Sequence, residues 1–80
     1  MNNSKNDQII NIISEQLGID KVKINSQTLF LEHLGTDILD ILEIIMIIEE
    51  KFNIEITDEE VKKILSVQDI FNLINNKIIN

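Results

Sequence analysis

Few residues of this 80-residue chain are suited to chemistry, and most of those are carboxylates. His33 is the single histidine and there is no cysteine, so no nucleophile pair of recognisable spacing and no thiolate centre can be assembled. His33 therefore reads as a surface or loop-packing residue. Asp58, Glu59 and Glu60 stand in a row, yet the alternation of acids around a central glycine that a calcium loop needs is missing. The two glycines, Gly18 and Gly35, are too few for a phosphate-cradling loop. What remains is the stretch LEHLGTDILDILEIIM, Leu31 to Met46, which reads as a glycine-closed loop, an acidic helix start and an apolar helix. Carboxylates recur there at Asp37, Asp40 and Glu43, but on a convex helix face with no pocket to raise a pKa, where a solvated acidic face outranks an acid/base pair. The head of that helix is laid out to present a side chain, and the side chain is that of Ile38, which has no reactive atom.

The elements that must position this stretch can be placed from periodicity and caps. Ser4 with Asp7 three residues on is a capping-box variant, and Ile9, Ile10, Ile13 and Leu17 follow at helical spacing up to Gly18, which suits a left-handed cap. From Ile19 to Thr36 the period breaks and a long loop is expected, pinned to the core by Phe30 and Leu34. A second helix should start at Thr36 or Asp37 and end near Phe52. At 100° per residue, Ile41, Ile45, Ile48 and Phe52 share one side, while Asp37, Asp40, Glu43 and Glu50 share the other. Ile44, Met46 and Ile47 fall on or beside the acidic stripe and should be exposed among the charges. Thr57 with Glu60 opens a short helix of about two turns through Val61 and Ile64. Ser66 with Asp69 opens the last one, with Val67, Ile70, Phe71, Ile74 and Ile78 in period. The fold class expected is all-α, a bundle of four helices, three longer and one short, in one domain spanning residues 1–80.

Composition narrows the function. Such a short chain buries only about 60 to 65% of its unfolded surface, so its core is thin and function must use the surface or a small cavity. Fourteen acids against seven lysines, with no arginine, give a formal charge of −7. That balance repels phosphate backbones and excludes nucleic acid as a partner. Basic protein surfaces are the partners it favours, with plain solubility as the blander role of the same charge. No apolar run approaches the length of a membrane span, so membrane insertion is not expected, and the polar start MNNSKNDQ lacks the order of a secretion signal. A cytoplasmic monomer is the expectation.

The segment FLEHLGTDILDILEIIMIIEEKFNIEITDEEVKKILSVQDI resembles the acyl carrier protein family, whose centre runs approximately as EDLGADSLD, then ELVMALEEEF, then IEIPDEEAEKI. Loop length, glycine position, the acids of the second helix and the DEE start all fall in register. The resemblance implies a carrier, not an enzyme, that holds fatty acyl chains on a 4′-phosphopantetheine arm and serves fatty acid biosynthesis. It implies partners among the synthesis enzymes and the phosphopantetheinyl transferase, met through their basic surfaces. By position, Asp37, Leu39 and Asp40 would flank the attachment point, and Glu43, Met46, Ile47, Glu49 and Glu50 would form the partner surface. Phe30, Ile45, Ile48, Ile56, Val61, Ile64 and Phe71 would line or border the acyl cavity.

The attachment residue departs from the pattern. The family has a serine after the first aspartate of DSLD, and here Ile38 stands there, so the arm expected for the family is not attachable at that position. Thr36 has a hydroxyl but falls at the family's alanine and reads as a helix N-cap with its oxygen engaged, which argues against it as a substitute. Lys51 replaces a common acid, Thr57 a proline and Val61 an alanine; the last would narrow the cavity. Ile38 has three accounts: an introduced block of a working carrier, a natural change in a protein that still folds and docks, or a packing residue set against the preceding loop. A cofactor-free interaction module is the alternative to a disabled carrier.

Overall fold

The structure, a computed structural model, describes residues 4–78, without the side chain of Ser4. Helix α1 spans Ser4–Leu17, and its expected cap by Ser4 and Asp7 lies outside the described residues. Its end follows the reading: Gly18 takes a left-handed conformation (φ 69°), and the N–H groups of Gly18 and Ile19 both donate to the Ser14 carbonyl, at 2.8 and 3.1 Å. Ile9 and Ile13 are fully buried and Ile12 nearly so.

The expected loop from Ile19 to Thr36 is partly helical. A 3₁₀ turn at Lys21–Lys23 is capped by the Asp20 side chain, and a five-residue helix α2 runs over Phe30–Leu34. Sequence periodicity misses α2 because a single turn cannot repeat, and because its cap comes from downstream: His33 Nδ1 accepts the Leu29 N–H at 2.9 Å. Gly35 closes it in the left-handed region (φ 64°). Backbone pairing holds the whole segment down. The N–H of Phe30 donates to the Leu65 carbonyl and that of Val67 to the Thr28 carbonyl, both at 3.0 Å, around an isolated antiparallel bridge between Leu29 and Ser66. Phe30 is a buried pin as expected; Leu34 is a half-buried one.

Helix α3, Ile38–Phe52, is the second predicted helix, and its N-cap is Asp37, not Thr36. Asp37 carries the short carboxylate that a cap needs, and Asp40 returns the contact to complete a capping box. Asn53 ends it in a left-handed conformation (φ 57°). Ile44 is not exposed among the charges but fully buried. Helix α1 packs along α3, with Gln16 reaching Glu43 at 2.8 Å, and this second neighbour widens the buried arc beyond the one the wheel assigned. Met46 and Ile47 are exposed as expected.

Helix α4 spans only Asp58–Lys62, so Ile64 lies beyond it, and α5 spans Val67–Ile78. Both predicted caps form. Thr57 Oγ1 accepts the Glu60 N–H at 3.1 Å while Glu60 accepts the Thr57 N–H at 2.9 Å; Ser66 and Asp69 exchange equivalent bonds at 3.2 and 3.0 Å. The all-α expectation is therefore met, with the short α2 added to the four helices read from the sequence. The core is a cluster of isoleucines from α1, α3 and α5 together with Ile24, Ile56 and Ile64 from the connecting segments, completed by Phe30, Val61, Val67 and Phe71.

Candidate functional site

The head of α3 is a cap with an apolar display. Asp37 Oδ1 accepts the Asp40 N–H at 3.1 Å, and Asp40 Oδ2 faces the Asp37 N–H at 3.4 Å, so both carboxylates are committed to holding the helix start. The next two residues point outward: Ile38 is 52% and Leu39 65% exposed. Ile38 is therefore only half covered. It sits at the first helical position, where no earlier turn of the helix exists to cover it.

Beside it lies a pocket of about 230 Å³, lined by Phe30, Leu31, Thr36, Asp37, Ile38, Ile41, Val61, Lys62, Ile64 and Leu65. Three residues expected to border an acyl cavity, Phe30, Val61 and Ile64, meet there. The other four do not line it: Ile45, Ile48, Ile56 and Phe71 are packed into the core. Thr36 is 4% exposed, and its Oγ1 has no hydrogen-bond partner among the described residues, which corrects the reading of an engaged capping oxygen.

The five residues expected to form a partner surface come together on another face. Glu43, Met46, Ile47, Glu49 and Glu50 line an open groove of about 690 Å³ with Gln16, Ile54 and Glu55. The last three carry no signal in the period of the second helix, because they reach the groove from α1 and from the turn after α3. Not all its acids are free. Glu43 Oε1 accepts from the Gln16 side-chain amide, and Glu49 Oε2 accepts the Ile56 N–H at 2.7 Å, fastening the turn between α3 and α4. Glu50 and Glu55 are exposed on the rim.

Elsewhere one charged pair has a structural role. Glu60 pairs with Lys77 of α5 at 3.1 Å. The Thr57 backbone N–H, then Lys77, hold its carboxyl below the ordinary value of 4.5. Among the described residues no cluster of His, Asp and Glu is arranged to hold a metal ion, and no helix is long and apolar enough to cross a membrane.

Two comparisons bear on this arrangement. The family described as "Phosphopantetheine attachment site" matches residues 7–74. The "Acyl carrier protein" of Buchnera aphidicola subsp. Baizongia pistaciae is 49% identical over 71 residues, covering 89% of this chain and 91% of that one. The "Acyl carrier protein" of Clostridium acetobutylicum is 47% identical over 68 residues, covering 85% and 88%.

Proposed function

The chain belongs to the acyl carrier protein family, within the wider phosphopantetheine attachment family, and from that premise we propose that it is a carrier-type protein of fatty acid biosynthesis, docking through α3, whose attachment position is disabled. The family's prosthetic group is 4′-phosphopantetheine, an arm that when bound supplies a thiol for acyl thioesters. The residues at the head of α3 do not fit it. Phosphopantetheine is joined through a side-chain oxygen, and Ile38 has none; the nearest alternative, Thr36, is buried. No step through the arm is therefore assigned to this chain.

The observation that carries the proposal is the pairing of an intact setting with an inert residue. The Asp37–Asp40 box, the outward-facing first turn and the acidic groove with exposed Met46 and Ile47 are all in place, and only the reactive atom is missing. Apolar anchors ringed by carboxylates suit basic partner surfaces: the charges steer approach and the anchors supply the contact. A small, charged interface also dissociates quickly, as a shuttling protein requires.

Intact-mass measurement after incubation with a phosphopantetheinyl transferase and coenzyme A tests the reading. The chain should gain no mass, and Ile38→Ser should gain one arm. Gain in the unaltered chain would place a working hydroxyl elsewhere and end the proposal. No gain in either chain would favour an interaction module that never met the transferase.

A further inference from the structure

His33 closes the single turn of α2 on itself. Its Nδ1 accepts the Leu29 N–H at 2.9 Å, and its own backbone N–H donates to the Leu29 carbonyl at 2.9 Å, so one residue holds both polar groups of Leu29. A ring nitrogen that accepts a hydrogen bond is unprotonated, so the neutral imidazole carries its hydrogen on Nε2. An imidazolium has N–H at both positions and cannot accept at either. The caps of α3, α4 and α5 use oxygens of Asp37, Thr57 and Ser66, which do not change charge near neutral pH. An imidazole does, ordinarily at about pH 6.5.

The charges around the ring offer nothing to replace that bond. His33 shares a surface hollow with Lys23 of the 3₁₀ turn and with uncharged Asn25, Gln27 and Thr28, and no carboxylate lines it. Glu32 precedes His33 on α2, and Asp37 and Lys62 line the pocket on the side of Phe30 and Leu31. Beyond the bridge, Asp69 of α5 is committed to the N–H groups of Leu65 and Ser66. Among the described residues the one salt bridge joins Lys77 to Glu60, so no anion pairs with the ring.

What hangs on this cap is the path into the head of α3. At its start α2 is tied to the bridge between Leu29 and Ser66; at its end the N–H of Thr36, the residue before the Asp37 cap, donates to the Phe30 carbonyl at 3.2 Å. A helix of five residues has no interior turn to hold it once an end is released. We propose that His33 is a proton-sensitive cap: protonation of its ring breaks the bond to the Leu29 N–H and loosens α2, and with it the tie at Thr36 that leads into α3. Only the neutral ring can accept, so the cap is present above the imidazole range and is lost as pH falls through it. The device needs no attached arm and no docking partner, so it goes beyond the carrier reading and stands or falls separately from the mass measurement.

The test follows the ¹⁵N-labelled full chain from about pH 8 to about pH 5, the range over which an imidazole changes charge. At the upper end the ring ¹⁵N shifts should show Nδ1 bare and Nε2 protonated. As pH falls, the Leu29 amide signal should move with the titration of the ring. Hydrogen exchange at Leu29 and Thr36, corrected for the intrinsic rate, should then quicken about two- to tenfold, the worth of one net hydrogen bond. His33→Asn sets an oxygen acceptor near the place of Nδ1 and does not titrate, so its Leu29 and Thr36 amides should keep their corrected protection throughout. A ring protonated at Nδ1 at the upper end would overturn the proposal, as would a Leu29 amide indifferent to the ring, an undisturbed Thr36, or the same acid loosening in the asparagine variant. The ring and amide measurements use the native chain alone, so they decide the matter even where that variant does not fold.

Discussion

At position 38 the sequence and the fold disagree in an instructive way. A helical wheel turns Ile38 toward the apolar arc, yet the side chain is half exposed, because a wheel assumes neighbouring turns and the first residue of a helix has none before it. Its contribution to stability follows from that exposure. Full burial of an isoleucine is worth about 1.5 to 3 kcal/mol, so at 52% exposure roughly half of that is at stake. Ile38→Ser should therefore lower stability by about 1 kcal/mol, read as a small shift in the urea midpoint with an unchanged slope. A loss above about 3 kcal/mol would mean that Ile38 is a packing residue, and the third account of it would gain ground. Thr36 is the reverse case. Its residue type suggests a cap, but Asp37 takes that place, and nothing in the sequence marks a hydroxyl that the fold leaves unpaired.

Among the elements, α4 is the one most dependent on a single side chain. Glu60 closes its capping box with one oxygen and meets Lys77 of α5 with the other, so a short helix of five residues is fixed at its start and to its neighbour by one carboxylate. The folded state holds that carboxyl below 4.5, chiefly through the Thr57 N–H. A depressed carboxylate pKa stabilises the fold at pH values above the ordinary one, and the contribution fades as pH falls through the folded value. Thermal unfolding of the native chain should accordingly lose stability more steeply below about pH 4.5 than that of Glu60→Gln, which keeps an acceptor oxygen but no charge. Parallel pH profiles would show that the pairing contributes nothing. The caps of α4 and α5 were legible in the sequence because both partners of each box lie within one turn of each other. Helix α2 was not, since its helical run is a single turn and its hold on the molecule is backbone pairing with residues 65 to 67, a long-range contact that no local pattern encodes. The burial of Ile44 and the share of Gln16, Ile54 and Glu55 in the acidic groove escaped for the same reason: each depends on which element lies alongside α3.

For the molecule as a whole, a thin core and an acidic surface set the two limits. Total stability for a chain of this length is on the order of 4 to 12 kcal/mol. Truncating a fully buried core residue costs about 2 to 5 kcal/mol, so Ile48→Ala should remove a large part of it and leave a chain partly unfolded at modest urea concentrations. The surface limit concerns docking. With a formal charge of −7, attraction to a basic partner is spread over many acids, but those in the groove act at contact distance, where screening is weakest. Glu43 and Glu50 lie on either side of exposed Met46 and Ile47 in the sequence of α3, so reversing both to lysine sets repulsion at the anchors themselves. Glu49 is the worse choice for this purpose, since its carboxylate accepts a part-buried backbone N–H and fastens the turn at Ile56, whereas Glu43 meets the exposed side-chain amide of Gln16; losing Glu49 would mix folding with docking. The double variant should bind an enzyme of fatty acid synthesis at least about tenfold more weakly, and its affinity should vary less with salt, while far-ultraviolet circular dichroism stays that of the native chain. If affinity and salt dependence are both unchanged, the groove is not the docking face and its acids serve only to keep a small protein in solution.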